Sequence, residues 1–299
     1  MLPDRRGDKD GCHGYRKPNS GLTDEGSQRS RYGIQRHTAA QPGESGMILD
    51  LFKLDDRVAL VTGAGRGLGQ AMAVGLAEAG ADIACVTRSG NSEETRRLVE
   101  ASGRRFFEVE ADLGRDDQRQ GLIDRVGNEF GRLDILVNNA GSGGRFNPED
   151  YPLDEWKYLV DVHLTASFEL SQQAFLWFQK VGRGKIINVG SVMTFEGGLN
   201  ISAYAAAKHG IAGLTKSLAN SWSGQNINVN CIAPGYFDTD MPGALRNDPV
   251  RAPQIMDRIP CGRWGQPDEM AGLVVFLASN ASSYLHGSIV AIDGGWLAR

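Results

Sequence analysis

The sequence predicts an α/β fold in which one doubly wound domain holds a parallel sheet with helices on both faces. Short β-branched segments alternate with longer segments of helical spacing from about residue 50 to residue 299. A glycine-rich turn joins the first predicted strand to the first predicted helix, and no internal repeat or interdomain linker interrupts the alternation. Such alternation is typical of βαβ units, whose crossover helices cover both faces of a parallel sheet.

The first half of this alternation contains four predicted strands and three predicted helices. The strands are rich in β-branched and apolar residues, whereas the helices repeat their apolar residues at helical spacing. The first two helices end in Gly80 and Gly103, as glycine at a helix C-terminus predicts. The predicted strands are 57–63, 81–87, 104–112 and 133–141, and the predicted helices are 68–80, 92–103 and 116–131.

The second half continues the same pattern with longer helices. Residues 152–181 form one long stretch of helical periodicity, and the apolar strand GKIINVGS follows it at 184–191. The remaining predicted elements are a helix at 202–223, a strand at 227–235, a helix at 267–278 and a strand at 288–295.

Composition and charge limit the class of protein. Of the 299 residues, 41% are hydrophobic and 23% are charged, which is the balance of a globular chain. The longest apolar runs, such as LVVFLA at 273–278, are too short to cross a bilayer, so no membrane span is expected. A net charge of −4 argues against a nucleic-acid surface.

Cysteine usage predicts a reducing compartment. The four cysteines are scattered and show no CxxC spacing. We therefore expect reduced thiols in a cytoplasmic protein, with neither a metal site nor a disulfide framework. The four residues are Cys12, Cys85, Cys231 and Cys261.

The first 46 residues differ in composition from the rest of the chain. They are rich in Gly, Arg, Ser and Asp and have few aliphatic residues. Because such a segment buries too little apolar surface to fold, we expect residues 1–46 to be a disordered N-terminal extension. Order is expected to begin at Met47, which we interpret as the natural start of a single domain over 47–299.

The turn TGAGRGLG at 62–69 has the position of a nucleotide site. It follows the first strand and opens the first helix, with its glycines in the spacing GxxxGxG. Glycines in such a turn allow a phosphate to approach the N-terminus of the helix. A plain strand–helix turn is the alternative, and the βαβ context favours the nucleotide. The expected contacts are Gly63, Arg66, Gly67, Leu68 and Gly69.

The end of the second strand favours NADP(H) over NAD(H). An NAD site usually carries an acidic residue there, whereas an arginine suits the 2′-phosphate of NADP. The sequence has Thr87 at the acidic position and Arg88 after it, and Arg66 in the glycine turn adds a second cation. The alternative is that Arg88 is a solvated loop residue.

A tyrosine and a lysine lie four residues apart in a predicted helix, with a serine thirteen residues upstream of the tyrosine. Positions i and i+4 share one face of a helix, so Tyr204 and Lys208 would lie side by side. A nearby ammonium lowers the pKa of a phenol, whose usual value is about 10, and so makes it a usable general acid or base. The upstream residue is Ser191; an ordinary helix surface is the alternative for the pair.

These motifs together resemble the short-chain dehydrogenase/reductase family over essentially all of residues 50–299. The resemblance implies a Rossmann-type fold with a seven-stranded parallel sheet, an oxidoreductase activity that depends on NAD(P), and commonly a homotetramer. It rests on TGAGRGLG, NNAG (138–141), Ser191, YAAAK (204–208) and PGYFDT (234–239), in that order.

The resemblance also implies roles for matching residues. Tyr204 would exchange a proton with the substrate oxygen, Lys208 would lower the pKa of Tyr204 and hold the nicotinamide ribose, and Ser191 would hydrogen-bond the substrate oxygen. The further cofactor contacts are Asp112 at the adenine, Asn138 in the cleft and Thr239 at the carboxamide, together with Leu113, Pro234 and Gly235.

One position departs from the family pattern. His163 stands where the family usually has an asparagine that bends its helix and holds a water on a proton relay to the lysine. Histidine can also hold a water, and it titrates near neutrality. A retained relay role and a tolerated packing substitution are both open for His163.

The C-terminal third resembles a subgroup of the family that acts on a secondary alcohol of sugar acids such as gluconate or 2-dehydro-3-deoxy-D-gluconate. The stretches that carry this are NINVNCIAPGYFDTDM, RIPCGRWGQPDEMAGLVVFLAS and DGGWLAR. Members of the subgroup often use NAD, which conflicts with the preference for NADP(H) that Arg88 indicates. An anionic substrate needs polar and cationic partners; the candidates are Arg145, Glu196, Asn200, Arg246 and Arg251.

Two other functions stay open at this point. A 3-ketoacyl or broad carbonyl reductase would carry the same core motifs, and only the subgroup stretches argue against it. A nucleotide-binding sensor without turnover belongs to another class of protein. It predicts the loss of Tyr204 or Lys208, and both are present.

Overall fold

The computed structural model describes residues 47–239 and 246–299 and shows the predicted doubly wound α/β fold. The described strands form one seven-stranded parallel sheet in the order β3-β2-β1-β4-β5-β6-β7, which confirms the fold class. The expectation of disorder over residues 1–46 concerns residues outside the described part. The strands are β1 Val58–Thr62, β2 Asp82–Thr87, β3 Phe106–Glu110, β4 Ile135–Asn138, β5 Gly184–Val189, β6 Ile227–Pro234 and β7 Ile289–Ile292.

The order reverses between β1 and β4, because β2 lies on one side of β1 and β4 on the other. In open α/β sheets the crevice beyond the carboxyl ends of the strands at this point binds ligands. The helices of the described residues are α1 Gly67–Glu78, α2 Glu93–Ala101, α3 Asp116–Arg119, α4 Leu122–Phe130, α5 Leu153–Val160, α6 Ala166–Val181, α7 Ser202–Trp222, α8 Arg251–Arg258 and α9 Glu269–Ala278.

Successive side chains of β1 point alternately into two different apolar cores, one on each face of the sheet. Ala59 and Val61 pack in the core that includes α1 and α9, whereas Val58 and Leu60 pack in the core that includes α4 and α6. Side chains of a strand alternate between faces, so a strand covered on both sides must be apolar throughout. The predicted βαβ arrangement is therefore supported by burial on both faces.

Two predicted helices are interrupted in the structure. The helix expected over 116–131 is divided at Gly121, whose φ of +66° ends α3 before α4 begins. The helix expected over 152–181 contains a π-helical segment at Asp161–Thr165 between α5 and α6. A π segment widens one helical turn, and such segments are frequent at functional sites.

Helix α8 was not predicted from the sequence. It has Pro253 in its first turn and only two large apolar side chains, Ile255 and Met256. Proline is tolerated in the first turn of a helix, but in a sequence it is normally a breaker signal. The helix packs through Ile255 on a third apolar cluster, the carboxyl-end cluster, which consists of Val192, Met193, Ile255, Ile259, Trp264 and Trp296.

The sequence predicted neither a membrane-spanning helix nor a metal site. In the described residues, none of the helices is long and apolar enough to cross a membrane. The same ranges, 47–239 and 246–299, contain no group of three His, Cys, Asp or Glu side chains placed to hold a metal ion.

Candidate active site

The glycine turn packs tightly against the end of β4. Gly63 has a φ of +67°, and a Cβ there would lie 2.9 Å from the Cα of Ala140. A Cβ on Gly69 would lie 2.2 Å from the carbonyl oxygen of Gly63. Gly67 also has a positive φ, +59°, which favours glycine. The turn therefore needs glycine at all three predicted positions.

The N-terminus of α1 opens at the carboxyl end of the sheet. The residue before the helix, Arg66, is exposed and provides no side-chain cap to the backbone N–H groups of the first turn. Those N–H groups and the helix dipole together suit a phosphate. The geometry thus fits the pyrophosphate of a dinucleotide, with Leu68 and Gly69 in the same turn.

Asn139 and Thr62 fix the glycine turn to β4. The Thr62 hydroxyl accepts hydrogen bonds from the backbone N–H groups of Asn139 and Ala140, at 2.9 Å each. The Asn139 amide donates to the carbonyl oxygen of Thr62 at 2.8 Å. Asn139 was not singled out from the sequence, although it lies in the NNAG motif.

Asn138 has a different position from the one the sequence indicated. Its side chain is 5% exposed and donates to Asn188 Oδ1 at 2.9 Å and to Ser171 Oγ at 3.2 Å. These bonds join β4 to β5 within the sheet and to α6, which packs on the sheet. The expectation that Asn138 lines the cofactor cleft does not agree with this interior placement.

At the end of β2, Thr87 closes a turn and Arg88 is exposed. The buried Thr87 hydroxyl donates to Glu108 Oε1 at 2.9 Å and accepts from the N–H of Gly90 at 3.1 Å. Residue 87 itself is not acidic, but the carboxylate of Glu108 on β3 lies beside it and accepts the hydrogen bond of the Thr87 hydroxyl. The Arg88 guanidinium, in contrast, reaches outward and donates to the Tyr158 hydroxyl at 3.3 Å.

Tyr158 is a residue of this region that sequence reasoning missed. Its hydroxyl donates to Asp112 Oδ1 at 3.1 Å, so it connects the predicted adenine contact to Arg88. A Cβ on Gly114 would lie 2.2 Å from the Tyr158 ring, which shows how closely the ring covers this turn. The neighbouring Leu113 is buried. The sequence gives no signal for Tyr158, because this residue belongs to none of the motifs.

Ser191 follows β5 and begins a short 3-10 helix. Its hydroxyl accepts a hydrogen bond from the N–H of Met193 at 3.1 Å, and the Thr194 hydroxyl accepts from the N–H of Ser191. This reciprocal cap fixes the serine rotamer at the carboxyl end of the strand. The same side chain lies close enough to Tyr204 to act on its phenol and lower its pKa.

Tyr204 and Lys208 lie one turn apart on α7, as their spacing predicts. Lys208 Nζ lies 5.5 Å from the centroid of the Tyr204 ring and donates to the carbonyl oxygen of Val189 at 2.6 Å. Burial lowers the pKa of Lys208 to about 8. The structure therefore brings Ser191, Tyr204 and Lys208 together at the ends of β5 and α7.

The pKa of Tyr204 differs from the sequence expectation. Burial raises the pKa of its phenol above the usual value, and the nearby Ser191 hydroxyl opposes that rise only in part. The expected lowering by Lys208 is not found: desolvation of the phenolate dominates, and the neighbouring Tyr236 adds to the rise.

His163 is buried beside this group, in the π-helical segment. Its Nε2 lies 2.8 Å from the carbonyl oxygen of Ser142, and its ring meets the Tyr204 ring edge-on at 5.2 Å between centroids. Its Nδ1 is buried without a partner among the described residues. Burial, followed by the charge of Lys208, lowers the pKa of His163 to about 3. The histidine is thus neutral at physiological pH, contrary to the expectation that it titrates near neutrality.

The glycine that ends the NNAG motif, Gly141, leaves space for the His163 imidazole. A Cβ on Gly141 would lie 2.3 Å from His163 Cε1, whereas a Cβ on Gly143 would meet nothing within 4 Å. We expect Gly141→Ala to lower the free energy of unfolding by about 1–3 kcal/mol, the usual cost of overpacking. Gly143→Ala is the matched control, with an expected change within about 0.5 kcal/mol.

Denaturant unfolding of both variants measures this difference. Combining Gly141→Ala with His163→Asn should recover part of the loss, because the shorter side chain withdraws from the added methyl group. Equal stability of the Gly141→Ala and Gly143→Ala variants would show that His163 is not held against Gly141.

The segment after β6 returns across the glycine turn. Pro234 ends the strand, and a Cβ on Gly235 would lie 2.7 Å from the Cα of Asp293. A Cβ on Gly67 would lie 3.6 Å from Thr239 Cγ2, so Thr239 covers the N-terminus of α1. Two predicted cofactor contacts that are far apart in the sequence, Gly67 and Thr239, therefore meet at the glycine turn.

Of the five residues predicted to contact the substrate, three are bound to other side chains of the described residues and two are not. Glu196 accepts from Trp296 Nε1 at 2.8 Å, and Asn200 donates to Asn147 Oδ1 at 2.9 Å. Arg246 is paired with Asp238. The other two, Arg145 and Arg251, form no ion pair with a carboxylate in the described part of the chain.

Comparison with known proteins gives one family. A family model described as Enoyl-(Acyl carrier protein) reductase matches residues 63–297. The 2-dehydro-3-deoxy-D-gluconate 5-dehydrogenase of Escherichia coli is 46% identical over 254 residues, 85% of this chain and 100% of that protein. The gluconate 5-dehydrogenase of Gluconobacter oxydans is 36% identical over 247 residues, 82% of this chain and 96% of that protein.

Solved structures agree with this result. The crystal structure of a gluconate 5-dehydrogenase from Burkholderia cenocepacia in complex with NADP and tartrate superimposes with a TM-score of 0.80 at 38% identity. It covers 84% of this chain and 99% of the other. Together with the sheet order and the extent of the matched residues, these similarities show that the chain belongs to the short-chain dehydrogenase/reductase family.

Proposed function

We propose that the protein is an NAD(P)-dependent oxidoreductase that interconverts a secondary alcohol and a ketone on a sugar acid of the gluconate or 2-dehydro-3-deoxy-D-gluconate type. The observation that carries the proposal is the meeting of Ser191, Tyr204 and Lys208 at the carboxyl end of β5. Full-length similarity to two sugar-acid dehydrogenases supports the choice of substrate class.

Each of these side chains has a task that follows from its position. The nicotinamide ring supplies or accepts the hydride when the cofactor is bound. Tyr204 gives a proton to the ketone oxygen or takes one from the alcohol, and Ser191 hydrogen-bonds that oxygen. Charged Lys208 favours the phenolate that Tyr204 becomes when it gives up its proton, and it holds the nicotinamide ribose.

His163 is proposed as a hydrogen-bond acceptor on the path from Lys208 to solvent. Its Nε2 is bound to Ser142 and its Nδ1 has no partner in the described residues. Because its pKa is lowered to about 3, it does not carry a proton as imidazolium at neutral pH. It acts by orienting a water or donor group.

NADP(H) is the proposed cofactor in preference to NAD(H). Arg88 is exposed at the end of β2, and Arg66 is exposed at the N-terminus of α1. Guanidinium groups bind phosphate well, and the Burkholderia cenocepacia relative was crystallised with NADP. The remaining contacts of the proposed cofactor site are Asp112, Leu113, Asn139, Thr239 and the three glycines of the turn.

Arg88→Ala is expected to weaken NADP(H) by about 10- to 100-fold, because a charge-assisted bond to phosphate is lost. NAD(H) affinity should change less than about 3-fold, since NAD(H) lacks that phosphate. Fluorescence titration of both reduced cofactors measures the two dissociation constants.

The matched control is Arg97→Ala. Arg97 is an exposed arginine on α2 that pairs with Glu94, and it should leave both affinities unchanged. Equal losses of NADP(H) and NAD(H) in the Arg88→Ala variant would remove the 2′-phosphate assignment.

Product analysis tests the substrate class. The enzyme with NADP+ or NADPH is incubated separately with gluconate-type acids, with 3-ketoacyl thioesters and with simple ketones. Mass spectrometry and NMR then identify which carbon has gained or lost hydrogen. Conversion of a sugar acid at one secondary carbon supports the proposal, whereas conversion of the thioester alone would favour an acyl reductase.

We also propose a cytoplasmic homotetramer that does not bind nucleic acid. Cys85, Cys231 and Cys261 are free thiols among the described residues, which suits a reducing compartment. The tetramer rests on the resemblance to the family, and the acidic net charge of −4 disfavours DNA or RNA. Light scattering of the purified chain measures the assembly.

A further inference from the structure

Three segments that are far apart in the sequence meet at the Glu196 carboxylate. Glu196 lies in the loop between Ser191 and Tyr204. Its Oε2 accepts a hydrogen bond from Trp296 Nε1 at 2.8 Å, and its Oε1 lies 3.5 Å from a terminal guanidinium nitrogen of Arg258. Arg258 ends α8, and Trp296 begins a short 3-10 helix after β7. These three side chains form the Glu196 junction.

Each member of the Glu196 junction contacts the other two. The Arg258 guanidinium lies over the Trp296 ring, 3.9 Å from its centroid, which is the geometry of a cation–π contact. Trp296 is only 3% exposed, and a buried indole N–H needs an acceptor, which the Glu196 carboxylate provides. The charge of this carboxylate is in turn compensated by Arg258. A neutral side chain at position 196 would therefore remove the acidic partner of Arg258.

The three joined segments also build the carboxyl-end cluster. The loop contributes Met193 to it, α8 contributes Ile255, and the segment after β7 contributes Trp296. Tyr204 packs against this cluster, as does Tyr236, whose ring lies 4.7 Å from that of Trp296 between centroids. The segments that the junction joins therefore form the apolar surroundings of the catalytic phenol on this side.

Glu196 is the polar link between its loop and the other two segments. In the part of the chain that the structure describes, no other hydrogen bond or ion pair joins residues 192–201 to α8 or to residues 293–299. The turn after α8 is bound separately to the segment after β7, since the N–H of Cys261 donates to the carbonyl oxygen of Gly294 at 3.1 Å. Apolar contacts are not directional, so the directional contacts of Glu196 set where its loop lies against α8.

We infer that Glu196 is a positioning residue of the active site: by tying its own loop to α8 and Trp296, it fixes the wall beside Tyr204 against which the substrate is held. The inference rests on the proposed function, which places the substrate oxygen at Tyr204. Glu196 acts through Arg258 and Trp296 and not by contact with the substrate. The proposed cofactor contacts at the glycine turn and at the ends of β2 and β3 lie on other elements, so the junction governs substrate binding and not cofactor binding.

Steady-state kinetics of Glu196→Ala test the inference, with Glu129→Ala as the matched control because Glu129 is exposed on α4. For the best sugar acid of the wild-type enzyme, KM should rise about 10-fold in Glu196→Ala, the loss expected for a hydrogen bond to a charged group. Since the catalytic groups are kept, kcat should stay within about 3-fold, and the dissociation constant of NADPH should not change. An unchanged KM, or losses of kcat and NADPH affinity as large as the rise in KM, would overturn the positioning role.

Two further variants separate action through the junction from direct contact with the substrate. Glu196→Gln keeps an acceptor for Trp296 Nε1 but loses the charge that faces Arg258, so its KM should lie between those of the wild type and Glu196→Ala. In a Trp296→Phe background, Glu196→Ala should raise KM by about 3-fold or less, because only the Arg258 contact is left to lose. The same factor in KM with and without Trp296 would overturn action through the junction.

Failure of the proposed function has a different signature. If the wild-type enzyme converts no sugar acid, hydrogen–deuterium exchange of the purified protein still tests the junction. In Glu196→Ala, the backbone amides of α8 and of residues 296–299 should exchange about 10-fold faster than in the wild type, whereas those of α9 should not change. Equal exchange of α8 in the two proteins would overturn the junction, whatever the substrate.

Discussion

Tyr204→Phe is expected to lower kcat by about 10²- to 10⁴-fold, the usual contribution of a positioned general acid or base. The phenol lies near Ser191 and one helical turn from Lys208. Phenylalanine keeps the ring and its edge-on packing against His163, so the fold should be preserved. The dissociation constant of NADPH should therefore change less than about 3-fold, since one peripheral hydrogen bond at most is lost.

Steady-state kinetics and fluorescence titration measure the two quantities on the same preparation. Tyr284→Phe is the matched control, because this tyrosine is 99% exposed and should leave both quantities unchanged. A collapse of NADPH affinity together with kcat would assign Tyr204 to cofactor binding or to stability, not to proton transfer.

Lys208→Met is expected to have the second largest effect. The variant keeps the length of the side chain but removes the ammonium that faces the phenol and the proposed ribose site. We expect kcat/KM to fall by about 10²- to 10³-fold, the range for removal of one electrostatic donor at a reacting centre. Affinity for the cofactor should fall as well, in contrast to Tyr204→Phe.

The buried lysine also contributes to the pH dependence of stability. Its pKa is about 8 in the folded protein, below the usual 10.5, so the folded state releases its proton first as the pH rises. Between these two values the unfolded state binds more protons, and the stability of the wild type rises with pH. The Lys208→Met variant lacks this contribution.

Chemical denaturation at pH 7 and at pH 9.5 measures this difference. The wild type should gain stability relative to Lys208→Met at the higher pH. A constant difference between the two proteins across that range would contradict the lowered pKa of Lys208.

The fold could be predicted from the sequence because strand and helix periods differ so clearly. Residues 57–63 and 81–87 read as strands, and both were found at those places with slightly different ends. Helix α8 could not be predicted, because its proline and few apolar residues give a loop signal. Its helical form depends on packing through Ile255 against the carboxyl-end cluster, which is a tertiary contact.

The site was predicted only where its residues follow a local pattern. The spacing of Tyr204 and Lys208 fixes their common helix face, and a glycine turn after a strand marks α1. Tyr158 was missed because only the fold brings it beside Asp112 and Arg88.

Electrostatics was the least predictable property. His163 was expected to titrate near neutrality, but burial beside the charge of Lys208 lowers its pKa to about 3. Burial similarly raises the pKa of Tyr204, where the sequence predicted a lowering by its neighbour. Desolvation depends on what covers a side chain, and no spacing rule reports that.

The most direct test of the central claim is a steady-state absorbance assay of the reduced nicotinamide with the purified enzyme. Gluconate, 5-ketogluconate and 2-dehydro-3-deoxy-D-gluconate would each be paired with NAD(H) and NADP(H). We predict turnover of at least one of these acids, with NADP(H) preferred over NAD(H). Absence of turnover across the panel, with NADPH still bound, would contradict a sugar-acid dehydrogenase while leaving the fold and the nucleotide site intact.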